Sequence, residues 1–447
     1  MPSLMPSFAF ALSAVAALLL AGCGEEQALQ PSATTGPQPT LAEPKPQLIP
    51  TVHIAPAKGW PEGGKPKAAD GLAVTAFAGS LDHPRWLYVL PNGDVLVAET
   101  NRSEGGKGGI MGWIMGLVMT RAGAGVPSAN RITLLREADG DGVAETRRVF
   151  LKDLNAPFGM ALIGGDFYVA NTDALMRFPY KDGDTEITAA GVKVADLPGL
   201  PINHHWTKNI IPSPDNTKMM VTVGSNSNIA ESGMDHEENR AAILEIDLKT
   251  GKSRVFASGL RNPNGMAWEP QTGALWTVVN ERDELGPDLV PDYLTSVKDG
   301  GFYGWPYSYF GSNVDERVTP QNAELVAKAI VPDYGLGAHT ASLGLTFSSG
   351  ALLPERMRSG AFIGQHGSWN RKPPSGYKVI FVPFQNGTPS GEPIDVLTGF
   401  LNKDGDAQGR PVGVVIDKKG GLLVADDVGN VIWRVTDEAA AASAMAR

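Results

Sequence analysis

The sequence predicts an all-β fold, a six-bladed β-propeller, because one hairpin pattern recurs along it, turn-forming residues are frequent and apolar residues are numerous. Of its 447 residues, 53 are Gly and 34 are Pro, while 42% are hydrophobic and only 19% are charged. This composition favours many short strands joined by turns around a substantial core. Repeat-built β folds use several hundred residues as one domain, so the length does not require a second one.

The recurring unit is a short apolar strand, a polar turn that contains Gly, Asp or Asn, and a second apolar strand. Further strand pairs follow several copies, so each repeat supplies about four strands, the content of a propeller blade. Two β-sandwiches are the alternative, but they fit a single repeated hairpin poorly. The six copies span residues 83–99, 156–171, 204–224, 261–278, 342–364 and 410–426.

The first residues predict a lipoprotein signal, with a plain secretory signal or a short hydrophobic leader as the alternatives. An apolar stretch from Phe8 to Leu20 leads into Leu-Ala-Gly-Cys, a lipobox that ends at Cys23. Cys23 is the only cysteine of the chain, so it has no internal disulfide partner and suits acylation. We expect a signal peptide at residues 1–22 and a lipid anchor in the cell envelope. Gly24 favours the outer membrane, facing the periplasm or the surface.

The remaining boundaries follow from composition. Residues 23–69 are rich in Pro, Thr, Ala and Gln without a periodic apolar pattern, and we expect a disordered tether there. The propeller should occupy residues 70–436, followed by a C-terminal tail at 437–447. An apolar, Gly-spaced insertion at 103–127 is expected to be a loop over a blade, with a lid or a membrane-dipping flap as the alternative.

Charge and motifs exclude several classes of partner. The net charge is −10, and no cluster of Lys and Arg suited to nucleic-acid phosphates is present. No phosphate-binding loop or dinucleotide fingerprint occurs in the sequence. The predicted partner is therefore a small molecule, and membrane contact is expected only through the lipid anchor.

Polar residues recur where the innermost strand of a repeat begins. A propeller gathers these positions at one end of its central channel, so we expect a ring of basic groups there. Such a ring would attract an anionic ligand, because the Arg guanidinium is a rigid fork suited to carboxylates. The alternative is that each Arg pairs with an acidic residue of a neighbouring blade. The residues at this position are Arg85, His204, His205, Arg261, Asn262, His339 and Arg410.

Four motifs resemble the glucose/sorbosone dehydrogenase family. Its members, which include soluble aldose sugar dehydrogenases and L-sorbosone dehydrogenases, are six-bladed propellers that use pyrroloquinoline quinone (PQQ) and calcium. The similarity covers residues 71–435, essentially the whole predicted propeller. The motifs are GLRNPNG at 259–265, NERDELG at 280–286, GGFYGWP at 300–306 and GQHGSWNR at 364–371.

The resemblance implies an oxidoreductase that oxidises an aldose, a sorbosone-like aldehyde or a related polyol, with electrons passed to an external acceptor. His205 matches the family's catalytic base, and histidine suits proton abstraction near neutral pH. Arg261 and Asn262 match residues that contact the quinone. A cation there would stabilise the oxyanion that forms as hydride arrives, so Arg261 is predicted to be catalytic together with His205.

Further ligands of the cofactor and the metal are also implied by the resemblance. Arg410 matches a carboxylate-binding position, and Arg85 is inferred from its place in the first repeat. The segment after the fifth repeat corresponds to a region that supplies another cationic contact, for which the candidates are His366, Arg371 and Lys372. Calcium in the family binds largely to backbone carbonyls and the cofactor. Gly286 and Pro287 resemble the pair used there, in an acidic loop that suits a hard cation.

Two other functions stay open at this stage. A calcium-dependent sugar lactonase would need carboxylates and Asn that converge on the metal, whereas the channel-end residues are mainly Arg and His. A non-catalytic envelope scaffold would keep the blades but has no need for a basic ring beside His205.

Overall fold

The structure is a computed structural model that describes residues 28–46, 52–102, 120–199 and 202–439. The predictions for the signal peptide, for Cys23, for most of the insertion and for the end of the C-terminal tail lie outside the described residues.

Three short strands precede the first blade. They are β1 (Thr35–Gly36), β2 (Lys67–Ala68) and β3 (Leu72–Ala78), and a 3-10 helix, Pro31–Thr34, leads into β1.

The first three blades are four-stranded antiparallel sheets, each formed by consecutive strands. Blade 1 contains β4 (Pro84–Val89), β5 (Val95–Glu99), β6 (Arg131–Arg136) and β7 (Thr146–Leu151). Blade 2 contains β8 (Met160–Ile163), β9 (Asp166–Ala170), β10 (Ala174–Pro179) and β11 (Val192–Asp196). Blade 3 contains β12 (Ile210–Pro212), β13 (Lys218–Val223), β14 (Ala242–Asp247) and β15 (Ser253–Ser258), with a 3-10 helix at Met234–Glu237.

The last three blades carry the longer connections. Blade 4 contains β16 (Pro263–Trp268), β17 (Leu275–Val279), β18 (Pro291–Ser296) and β21 (Tyr334–Ala338). The connection between β18 and β21 contains β19 (Ser308–Tyr309), β20 (Asn313–Val314) and helix α1 (Ala323–Lys328). Blade 5 contains β22 (Ser342–Phe347), β23 (Gly360–Gln365), β24 (Lys378–Gln385), β25 (Thr388–Pro389) and β26 (Ile394–Thr398), with a 3-10 helix at Glu355–Met357. Blade 6 contains β27 (Pro411–Ile416), β28 (Leu422–Asp426) and β29 (Val431–Asp437).

The N-terminal strands complete the later blades. Strand β3 pairs antiparallel with β29 as the outermost strand of blade 6, with Leu72 opposite Asp437 and Ala78 opposite Ile432. In the same way β1 extends blade 4 beside β21, and β2 extends blade 5 beside β26. Closing the ring with a strand from the other end of the chain protects the edges of a propeller. The predicted six-bladed all-β fold is confirmed.

The core lies between neighbouring blades. Trp86 of blade 1 packs on Phe158 at the start of blade 2, with ring centroids 4.7 Å apart. Trp276 of blade 4 packs edge-on against Phe384 of blade 5, with ring centroids 5.1 Å apart. Second strands such as β5, β17 and β28 are buried along their whole length, because each sheet is covered on both faces.

A glycine in the innermost strand explains part of the repeat motif. A Cβ on Gly265 of β16 would lie 2.6 Å from the backbone nitrogen of Leu345 in β22. Gly344 of β22 approaches the Val412 carbonyl of β27 as closely. Since only glycine permits this approach, the innermost strands pack backbone to backbone around the channel.

The predicted disordered tether is wrong for residues 28–46 and 52–69, which pack on the propeller. Thr35 pairs with Leu336 in blade 4, and the Trp60 indole packs edge-on against Trp433 in blade 6. These contacts are separate anchors with no periodic apolar pattern, which is why composition alone suggested disorder. No helix within the described ranges is long and apolar enough to cross a bilayer.

Candidate active site

The predicted site residues lie at one end of the propeller, which we call the mouth end. The innermost strands begin there and the second strands end there. His205 precedes β12, Arg261 precedes β16 and Arg410 precedes β27. Arg85 lies at the start of β4, where the pairing with β5 shifts in register. Such a bulge re-aims a side chain, here at the rim of the channel.

The imidazole of His205 is oriented by Ser225, which lies just beyond the second strand of the same blade. Its Nδ1 lies 2.7 Å from the Ser225 carbonyl oxygen and 3.2 Å from the Ser225 hydroxyl. Because a carbonyl oxygen only accepts hydrogen bonds, this contact assigns the proton of the neutral ring to Nδ1. Nε2 then carries the lone pair and is the nitrogen that can accept a proton.

The surroundings of His205 keep the ring neutral and its backbone fixed. Burial lowers the pKa of His205 well below the ordinary value of 6.5, and the charges of Arg261 and His204 lower it further. The His205 carbonyl oxygen accepts hydrogen bonds from the buried Arg240 (Nη2, 3.0 Å) and Lys208 (Nζ, 3.5 Å). A neutral imidazole at pH 7 is the form that can act as a base.

Gly224 brings His205 and Asn262 together. A Cβ on Gly224 would lie 2.6 Å from the Cβ of His205 and would overlap the amide oxygen of Asn262. The missing side chain therefore lets both residues pack over one point of the backbone. Asn262 is buried, and within the described ranges its Oδ1 has no hydrogen-bond partner. An unpaired buried acceptor is unusual and indicates a place where a ligand could donate.

Arg261 is buried beside His205 and is held by several acceptors. Its Nη1 donates to the Glu281 carbonyl at 2.6 Å, and its Nη2 donates to Asn228 Oδ1 at 3.0 Å. Asp283 lies 3.5 Å from Nη2 and partly balances the charge. Arg261 thus contributes positive charge to the mouth end, while most of its hydrogen-bond donors serve the protein itself.

A second cluster is built around Asp427, which follows β28. Its Oδ2 accepts hydrogen bonds from Arg85 Nη1 at 2.6 Å and from His366 Nε2 at 2.9 Å, and His83 Nε2 lies 3.6 Å away. One carboxylate therefore ties blades 1, 5 and 6 together. Arg85 also lies over the ring of Trp206, 5.9 Å from its centroid, which connects this cluster to the loop that carries His205.

The charge state of this second cluster follows from burial and pairing. Burial raises the pKa of Asp427, whereas His366, His83 and Arg85 lower it, and the net pKa is far below the ordinary range. Burial lowers the pKa of His83 to about 4 and also lowers the pKa of His366. At neutral pH the cluster is an ionised carboxylate with one guanidinium and two neutral imidazoles.

Arg410 is positioned by the N-terminal segment. Its guanidinium lies 4.8 Å from the ring centroid of Tyr377, and its Nη2 donates to the Ala55 carbonyl at 3.3 Å. Its backbone N–H donates to Asp426 Oδ1 at 2.8 Å, and the other oxygen of Asp426 accepts from the Trp60 indole at 2.7 Å. Arg410 Nε is a buried donor without a partner among the described residues.

Arg371 and Lys372 are placed differently from what the resemblance implied. The Arg371 guanidinium donates through all three nitrogens to protein acceptors, the carbonyls of Pro287 (2.8 Å), Pro373 (2.9 Å) and Leu29 (3.0 Å). It therefore belongs to the scaffold, because the N-terminal segment reaches this loop and uses it. Lys372 is exposed and lies outside the buried part of the mouth end.

The predicted calcium ligands do not fit a metal site. The Gly286 carbonyl accepts a hydrogen bond from His339 Nε2 at 2.9 Å, and the Pro287 carbonyl accepts from Arg371 Nε at 2.8 Å. A guanidinium at this distance disfavours a second cation. His339 Nδ1 in turn lies 3.3 Å from Asp283, so the loop is closed by protein contacts.

Sequence reasoning missed the residues that hold the predicted ones in place. Asp427 and Ser225 lie just beyond the second strands of their repeats, and Asp283 lies within a motif whose glycine drew attention instead. Their position in the sequence could have identified these residues, because second strands end at the mouth end, where the innermost strands begin. Polar residues directly after a second strand were therefore candidates as strong as those before a first strand.

Comparisons with known proteins show the family of the chain. A family model described as TrAA12-like matches residues 66–291 and 308–438. An uncharacterized protein of Borreliella burgdorferi is 30% identical over 307 residues, which are 66% of this chain and 79% of that protein.

Two relatives have named activities. The pyrroloquinoline quinone-dependent pyranose dehydrogenase of Coprinopsis cinerea is 23% identical over 82% of this chain, which spans only 54% of that protein. The aldose sugar dehydrogenase YliI of Escherichia coli is 22% identical over 78% of this chain and 91% of its own length.

Solved structures share the architecture. The holo PQQ domain of the Coprinopsis cinerea pyranose dehydrogenase has a TM-score of 0.66 at 22% identity, covering 83% of this chain and 97% of that chain. The calcium structure of a Trichoderma reesei carbohydrate-active enzyme of family AA12 has a TM-score of 0.68 at 19% identity, covering 87% and 99%. At these identities the likeness shows the fold alone. Together the matches support assignment to the soluble PQQ sugar dehydrogenase family that the motifs resemble. They do not support its sorbosone type specifically.

Proposed function

We propose, since the chain belongs to the TrAA12-like family, that it is a PQQ-dependent dehydrogenase that oxidises a sugar. The proposed substrate is an aldose, a sorbosone-like aldehyde or a related polyol, and the electrons pass to an external acceptor. The observation that carries the proposal is the neutral imidazole of His205, whose Nε2 can accept a proton beside the buried Asn262 and the cationic Arg261.

The polar groups at the mouth end fit a flat tricarboxylate. Arg85 Nε and Arg410 Nε are buried donors without partners in the described part of the chain, and Asn262 Oδ1 is an unpaired acceptor there. Guanidinium donors bind carboxylates through charge-assisted hydrogen bonds. In our proposal Arg85 and Arg410 would hold carboxylates of PQQ, and Asn262 and Arg261 would contact its quinone.

The chain's own residues supply the proton chemistry. His205 Nε2 removes the hydroxyl proton of the substrate, while Ser225 keeps the proton of the ring on Nδ1. The chemistry that PQQ would supply when bound is that of a hydride acceptor. The charge of Arg261 stabilises negative charge that develops nearby, and the low pKa of His205 favours release of the captured proton to water afterwards.

The two alternative functions make different demands on the mouth end. A calcium-dependent lactonase needs carboxylates that are available to a metal, whereas Asp283 and Asp427 each interact with a guanidinium and with histidine. No calcium step is therefore part of the proposed mechanism. A non-catalytic scaffold needs neither the orientation of His205 nor unpaired guanidinium donors.

We also propose that the protein is a lipoprotein of the cell envelope, in the outer membrane, anchored through Cys23. This proposal rests on the lipobox and on the single cysteine. Replacement of Cys23→Ser should release the protein from membranes without changing its thermal unfolding. Unchanged membrane fractionation of this variant would contradict the anchor.

The function is tested with purified apo-protein. PQQ is titrated and its binding is followed by absorbance, and dye reduction is then measured with a panel of sugars and polyols, with and without added calcium. We expect saturable PQQ binding and dye reduction that depends on both PQQ and a sugar. Absence of PQQ binding would favour the scaffold, and PQQ-independent opening of a sugar lactone would favour the hydrolase.

A further inference from the structure

The N-terminal segment contacts the mouth end only a few residues after Cys23, the predicted site of the lipid anchor. The backbone N–H of Leu29 donates to Asp288 Oδ2 at 2.8 Å, and the Leu29 carbonyl accepts from Arg371 Nη2 at 3.0 Å. Arg371 and Asp288 themselves form a buried ion pair at 2.9 Å. Both belong to mouth-end loops that follow second strands, in blades 5 and 4 respectively.

The attachment continues along the segment. The backbone N–H of Lys45 donates to the Leu285 carbonyl at 3.0 Å, and that of His53 donates to the Trp369 carbonyl at 2.7 Å. Farther along, the Ala55 carbonyl accepts the hydrogen bond from Arg410, and the Trp60 indole donates to Asp426, as described above. The described part of the segment therefore crosses the mouth end from blade 4 to blade 6, and it does not behave as a free spacer.

Chain length sets a limit on where the anchor can be. Cys23 precedes Leu29 by only six residues, and an extended chain spans at most about 3.6 Å per residue, so the two are separated by no more than about 22 Å. We infer that the mouth end of the propeller is its membrane-facing surface, with the lipid bilayer surface as its partner. This inference rests on the proposed acylation of Cys23.

The opposite orientation does not fit this limit. A six-residue strand such as β16 already spans about 20 Å, and the turns at both ends of a blade add to the height that the chain would have to pass. Had residues 23–69 been a free tether, its extended length of about 150 Å would have allowed any orientation. Because Leu29 is attached to the mouth end, a lipid anchor at Cys23 fixes which end of the propeller faces the membrane.

The orientation is measured by resonance energy transfer on vesicles. In the lipidated protein the thiol of Cys23 is acylated, so an introduced cysteine is the only thiol that takes a fluorophore. Lys403 lies in a mouth-end loop and Lys249 lies in a loop at the other end, and both are exposed. The matched variants Lys403→Cys and Lys249→Cys are reconstituted with vesicles that carry an acceptor dye on their headgroups.

We expect a clearly higher transfer efficiency from position 403 than from position 249. A flexible Gly/Ser insertion of about 20 residues after Gly24 should reduce this difference. Equal transfer from both positions without the insertion, or stronger transfer from position 249, would overturn the inference.

The result is separable from the other proposals. Loss of vesicle binding in wild type would indicate that Cys23 is not acylated, and it would overturn the inference together with the anchor. Energy transfer needs neither PQQ nor a substrate, so an inactive protein that shows the expected orientation would contradict only the dehydrogenase proposal.

Discussion

The mouth end contains two clusters, one around His205 and one around Asp427, that accommodate buried charged groups in different ways. Around His205 the ring is kept neutral, and the neighbouring Arg261 is held largely by backbone carbonyls and an amide. Around Asp427 a buried carboxylate gathers Arg85 and two histidines. The first arrangement leaves a base available, and the second fixes a cation in place.

In the proposed function the first cluster performs the proton chemistry and the second holds a ligand. A general base must exchange a proton in each turnover, and His205 keeps Nε2 available for this because its hydrogen bond to Ser225 is made through Nδ1. A guanidinium that binds a carboxylate ligand only has to stay charged and oriented, and the ion pair with Asp427 achieves this for Arg85. Substitutions in the two clusters should therefore affect different measurements.

The largest effect is expected for His205→Ala. Loss of the general base should reduce PQQ-dependent turnover by about 10³-fold, while the affinity for PQQ changes little. The control is His204→Ala, an exposed neighbour whose ring packs against that of His205 and whose loss should leave most of the turnover. Steady-state dye reduction and PQQ titration measure the two quantities. Equal losses in both variants would contradict the assignment of the base.

Asp427→Asn should have its main effect on stability. The substitution leaves Arg85 buried without its counter-charge, and breaking one partner of a buried ion pair costs about 3–5 kcal/mol of unfolding free energy. Asp283→Asn in the first cluster should cost less, about 1–2 kcal/mol, because Arg261 keeps its carbonyl and amide acceptors. Urea unfolding of the apo-proteins measures both values, and a reversed order would refute the distinction drawn between the clusters.

The second cluster should also make stability depend on pH. Burial lowers the pKa of His83 to about 4, so between pH 6.5 and 4 the unfolded chain binds more protons than the folded one. This stability is present above pH 6.5 and is lost as the pH falls toward 4, by about 3 kcal/mol in total. His83→Gln should remove that part of the pH dependence in urea unfolding at pH 7.5 and 4.5. An unchanged slope in the variant would show that folding does not lower the pKa of His83.

The blades and the innermost ring of the site could be predicted from the sequence. In each repeat the two strands of the hairpin are close together in the sequence. Local patterns were therefore enough to place the site residues at the strand starts, namely Arg85, His205, Arg261 and Arg410. The residues that orient them could have been found by the same rule, applied to the other strand of each hairpin.

The course of the N-terminal segment could not be predicted. Its contacts are single long-range hydrogen bonds, such as the one between Trp60 and Asp426, which are separated by 366 residues. No periodic pattern accompanies such contacts, and Pro-rich composition favoured disorder instead. For the same reason nothing in the sequence indicated that Arg371 would be used to hold Leu29 rather than a ligand.

The smallest effect is expected for Trp60→Phe, which tests whether this segment supports the ligand-holding side of the mouth end. The substitution keeps an aromatic ring beside Phe400 and Trp433 but removes the indole N–H. Among the described residues, Asp426 Oδ2 then retains only the hydrogen bond from Trp433. One lost hydrogen bond to a buried carboxylate costs about 1–2 kcal/mol of unfolding free energy. Because Asp426 also holds the backbone of Arg410, we expect PQQ affinity to fall severalfold while the turnover of the saturated enzyme stays near wild type. A fall in turnover at saturating PQQ, with affinity unchanged, would instead connect Trp60 to the side of the mouth end that contains His205.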